Sequence, residues 1–197
     1  MWSAFGKDGV ESMNNWLATL GWQAVGTSVL IMLLIGAAWV DIREHRIPNV
    51  LVFSGAALAL MLAHLPGGSI TSSIAGIAVG IAMGLPLYWL RAMGAGDVKL
   101  MGMAGGFLGG AEMFVAALVI FLVGGVLGLV AVARRRAFGQ LGANLKQMTF
   151  GGLVNTMTSA GPVIDAPSRS VGVQPYGVAI AAGTVLYLVL AKGGIFQ

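Results

Sequence analysis

The chain has 197 residues, 57% of them hydrophobic and only 9% charged, with a mean hydropathy of +0.89. Soluble domains carry roughly 25% charged residues, so the composition excludes a soluble globular protein and points to an all-α integral membrane protein. The lack of cysteine excludes a disulfide framework, a thiolate nucleophile and a cysteine zinc site, and two histidines are too few for a His-rich metal centre.

No cofactor is expected from this inventory. The net charge of +4 comes from basic residues in loops between apolar runs, which reads as membrane topology and not as nucleic-acid binding.

The predicted elements form one membrane-embedded domain over 1–197. Residues 1–21 form an N-terminal segment in which Trp2, Phe5, Val10, Met13, Trp16, Leu17 and Leu20 recur at roughly helical spacing. That pattern fits an amphipathic helix lying at the membrane interface, with a loosely ordered tail as the alternative. Lys7, Asp8 and Glu11 interrupt it, unlike a cleaved signal peptide.

Residues 22–133 carry the core helices. A crossing needs about 20 mostly apolar residues. The stretches 22–40, 50–65 and 70–90 approach or meet that, the last with a kink expected at Pro86. Residues 98–110 are short and rich in glycine. Together 98–133 would extend about 54 Å, enough for a tight helical hairpin turning near Gly109-Gly110-Ala111-Glu112. Residues 134–173 read as a basic cytoplasmic loop with an interfacial helix, and 174–197 as the last membrane helix.

Orientation follows from the basic residues. With about six spans and both termini outside, Arg43, Arg46, Arg91, Lys99, Arg134, Arg135, Arg136, Lys146 and Arg169 lie inside, against Lys7 and Lys192 outside. This parity puts Asp41, at the end of the first span, and Asp97, at the start of the fourth, on the same cytoplasmic surface. Glu112 falls in the outer turn, away from both.

An acid beside the hydrocarbon is costly and marks function by default. Two neighbouring carboxylates cannot both ionise easily, so one keeps a proton. The ionised member can then activate a water while the protonated one polarises a carbonyl. Each acid also has a structural reading: an ion pair with Arg43 or Arg46 for Asp41, a helix N-cap for Asp97. Gly94 and Gly96 offer unusual backbone angles and close approach, or simple turn punctuation. Pro48 and Asn49 restart a helix, and Lys99 is either an interface anchor or a cation holding a nearby carboxylate ionised.

Asp41 with Ile47-Pro48-Asn49, then Gly94-Ala95-Gly96-Asp97-Val98-Lys99, resemble the two aspartate motifs of the type IV prepilin peptidases. Pro175-Tyr176-Gly177-Val178-Ala179 is similar to a further recurrent element of that family. The resemblance implies a six-helix G-x-G-D aspartic endopeptidase of the bacterial cytoplasmic membrane. Such an enzyme removes the leader of prepilins or pseudopilins at the cytoplasmic face. It implies Asp41 and Asp97 as the catalytic pair, with Gly94 and Gly96 shaping the loop of the second. Without cysteine or a large loop for a methyltransferase region, the chain is similar to the short, peptidase-only branch of Flp/Tad-type pilus systems.

An extended segment at Met93–Gly96 is expected to pair with the substrate by strand addition. The competing reading is a small transporter or ion-binding protein that uses the same acids.

Overall fold

The structure, a computed structural model, describes residues 7–44, 46–65, 68–90, 92–134 and 176–194, with side chains from residue 24 onward apart from that of Val132. The expected interfacial helix within 137–173, Pro175, and Arg91, Arg135 and Arg136 lie outside these residues. The described chain is helical: α1 (Lys7–Glu44), α2 (Asn49–Ala63), α3 (Ile70–Trp89), α4 (Ala95–Leu108), α5 (Gly110–Arg134) and α6 (Tyr176–Lys192).

Three stretches are long and apolar enough to cross a membrane: Ala24–Glu44, Ile70–Trp89 and Gly110–Ala131. Large apolar side chains face outward all round the bundle, among them Met32, Val50, Met61 and Leu122. Water would not tolerate so much exposed apolar surface, and lipid does. The protein is an α-helical membrane protein.

Two expected helix boundaries change. The chain is already helical at Lys7 and continues unbroken through Glu44, so residues 7–21 extend the first membrane helix and are not a separate element. The dip in hydropathy before Trp22 ends the apolar run but contains no proline to end the helix. At the other boundary, α4 begins at Ala95, before Asp97.

Helix α4 is the hub. Among the described residues, the other five helices form a closed ring, α1–α2–α3–α5–α6 and back to α1, and α4 packs against every one of them. Its fourteen residues reach only about 21 Å, less than the roughly 30 Å of hydrocarbon. Surrounded by protein, it does not need to span lipid unaided. Leu100, Met101 and Ala104 have no exposed surface, and they meet the equally buried Leu34 of α1, Met113 of α5 and Ile180 of α6 in one core.

Small residues bring α3 against α4. Gly76, Gly80 and Gly84 recur every four residues, which is one face of a helix. A Cβ at Gly76 would overlap the Gly105 carbonyl, and one at Gly80 the Met101 carbonyl. Such backbone-to-backbone approach is how helices associate where no hydrophobic drive acts between them. A buried hydrogen bond from Ser73 Oγ to the Gly106 carbonyl, 2.7 Å, ties the start of α3 to the end of α4. Beyond that end lies a cavity of about 330 Å³ with Glu112 in its lining. The length of α4 therefore separates Glu112 from Asp97, as expected.

Candidate active site

Asp41 stands in the last turn of α1, only 5% exposed. Carbonyls crowd the C-terminal end of a helix and disfavour an anion there. The compensation comes from elsewhere in the chain: the Gly177 N–H, in the first turn of α6, donates to Asp41 Oδ2 at 2.8 Å. The acid is buried and not a surface residue. Arg43 is exposed and stacks on Trp39, its guanidinium 4.5 Å from the ring centre.

Asp97 is third in α4 and 9% exposed. The N-cap is Gly94, not Asp97. The Asp97 carboxylate reaches back instead, its Oδ2 accepting the Gly94 N–H at 3.0 Å. This is the returning half of a capping box; glycine has no side chain for the other half. Asp97 lies in the helix's first turn, before the apolar stretch that starts at Val98. There burial pushes its carboxyl up to about 6, the Gly94 N–H opposing the rise and the negative charge of Asp41 adding to it. The two acids thus share one electrostatic neighbourhood at one end of the bundle.

The supporting residues divide. Gly96 fulfils the close-approach reading: a Cβ there would sit 3.3 Å from the Ile47 Cβ. Gly94 does not need glycine's angles, since φ −79° and ψ 156° are open to any residue. Pro48 caps α2 from the extended region, just outside the first turn, where its missing N–H costs nothing. Among the described residues, Lys99 meets an amide and a ring and no carboxylate. Its Nζ donates to Asn49 Oδ1 at 3.0 Å and lies 5.6 Å from the Phe53 ring centre, bridging the starts of α4 and α2.

The expected strand-like segment is shorter than supposed. Ala95 and Gly96 are helical, and the amides of Ala92 and Met93 already donate to the Leu87 carbonyl. Only Met93 and Gly94 of that segment stay outside the helix, and the amides of both already have acceptors. Among the described residues, no group of three or more His, Asp or Glu gathers as a metal site.

Residue-by-residue reading of charge and periodicity passed over the role of the α6 start. Gly177 holds Asp41, while neighbouring Tyr176 interacts electrostatically with Asp97 and lays its ring against Gly124 of α5. The signal was present only as the Pro175–Ala179 motif.

Together these features define a polytopic helical membrane protein that buries two carboxylates at one edge of its bundle. The chain belongs to the type IV leader peptidase family, whose family model matches residues 28–131, just over half of the chain and including both acids. A prepilin leader peptidase/N-methyltransferase from Xanthomonas campestris pv. campestris is 31% identical over 138 residues, covering 62% of this chain and 46% of the relative. The chain spans about half the length of that curated relative. No solved structure matches it significantly.

Proposed function

We propose that the protein is a prepilin leader peptidase in which Asp41 and Asp97 jointly activate water against the scissile carbonyl. The observation that carries this is the burial of both acids at one end of the bundle, with Asp97 raised partly by the charge of Asp41. Asp41, anchored through Oδ2, acts as the base that takes the water proton. Asp97 retains its proton and donates it toward the carbonyl oxygen. The step needs no covalent enzyme intermediate. Family membership favours hydrolysis over the ion-binding alternative.

The substrate class is a prepilin or pseudopilin, whose leader meets the site while its apolar helix lies in the bilayer. The excess of basic residues in the loops on the Asp41 and Asp97 side supports placing that edge at the cytoplasmic face of a bacterial inner membrane, with both termini outside. To these 197 residues we assign cleavage and not methylation, since they contain no cysteine to hold a zinc.

The test is cleavage of a co-expressed prepilin. Asp41→Asn and Asp97→Asn should each abolish it while the protein stays in the membrane. Processing by both single variants would refute the assignment.

A further inference from the structure

We propose that Gly177 is a positioning residue for the reaction, fixing Asp41 by its amide and by having no side chain. The proposal rests on the reading of Asp41 as the base.

The Gly177 N–H is one of the first amides of α6, which have no acceptor within their own helix. It spends that donor on Asp41 Oδ2, 136 residues away in sequence. The carboxylate also sits close over the Gly177 backbone. A Cβ at position 177 would stand 2.7 Å from Oδ2, 3.1 Å from Cγ and 3.2 Å from the Asp41 Cβ. The first distance is one that real Cβ atoms essentially never show, so one partner must move.

Helix α6 has little room to be that partner. On its other side Gly183 lies against α5 so closely that a Cβ there would be 2.6 Å from the Ile120 Cα. The Tyr176 ring closes on Gly124 in the same way. With α6 pinned against α5, a methyl group at 177 displaces the carboxylate and breaks its hydrogen bond. The lone G at the start of the last helix is thereby tied to the acid at the end of the first.

The experiment uses the full chain in detergent and a synthetic prepilin-like peptide. Gly177→Ala should lower kcat by about 10- to 100-fold, the scale of a misplaced reacting group, with KM within about twofold and near-normal Tm. Gly183→Ala is the structural control: it should lower Tm, with activity following the folded fraction. A cycle with Asp41→Ala then reads the contact itself, independently of activity. Removing the carboxylate makes room for the added methyl, so any Tm loss from Gly177→Ala should vanish in that background.

Wild-type kcat in Gly177→Ala would overturn the proposal. So would a Tm loss that persists without the Asp41 carboxylate, including a failure of Gly177→Ala to accumulate that Asp41→Ala does not rescue. Retained cleavage by Asp41→Ala alone would instead refute the catalytic reading, leaving the measured coupling as a separate result.

Discussion

Gly76 of α3 and Gly105 of α4 face each other so closely that a Cβ on either would overlap the carbonyl of the other. Four residues further along α3, Gly80 repeats the contact on Met101, and Gly84 meets Val98 beside Asp97. The ladder thus sets the height and rotation of the helix that carries the second acid.

A side chain in this ladder should separate the two helices. Gly80→Val is expected to destabilise by at least about 1–3 kcal/mol, the usual scale of overpacking, and to abolish cleavage by shifting Asp97. Gly125→Ala, where nothing lies within 4 Å, should be neutral or stabilising by up to about 1 kcal/mol through helix propensity. Thermal unfolding in detergent compares the two; equal effects would remove the ladder's special status.

The acid pair predicts a bell-shaped pH profile. Below about 6 Asp97 holds its proton, and above that it loses it. The kcat/KM of the free enzyme should therefore fall on the alkaline side from near pH 6, and on the acid side as the ionised partner takes a proton. A bound leader excludes more water and favours the neutral carboxyl further. The alkaline limb of kcat should accordingly lie at higher pH than that of kcat/KM, a difference that initial-rate measurements resolve.

Lys99 should leave that profile alone. Its partners are Asn49 and the Phe53 ring, both on α2. Lys99→Met is expected to cost less than about 1 kcal/mol, as exposed polar contacts do, with both limbs unmoved. A displaced alkaline limb would show that the cation acts on Asp97 after all.

Two buried hydroxyls should behave oppositely. Ser73→Ala removes the bond to Gly106 and should cost roughly 1 kcal/mol. Thr184 is fully buried and its Oγ1 has no hydrogen-bond partner among the described residues. Thr184→Val keeps the shape and should be neutral or stabilising by about 1–3 kcal/mol. Melting temperatures of the two variants decide it.

Much of this was legible beforehand for local reasons. The starts of α2 and α3, next to Pro48 and just past Pro66-Gly67-Gly68, coincide with turn residues, and the apolar runs between them set the helices. The acids stood out because charge is rare in such a chain. What escaped was tertiary. Whether Asp97 is N-cap or third residue depends on a turn held by Leu87, and the bond from Gly177 to Asp41 joins positions that no periodicity relates. Hydropathy also could not show that residues 7–21 continue α1, since helix geometry does not require apolar side chains.

A helix walled in by five neighbours has consequences for biogenesis. Too short to cross lipid unaided and bearing an acid in its first turn, α4 is poorly suited to insert as an independent segment. It packs against each of the other described helices, so its stable place depends on them. On the proposed reading, a freshly inserted but uncompacted chain has no working dyad, so hydrolysis is withheld from bystander proteins until assembly is finished.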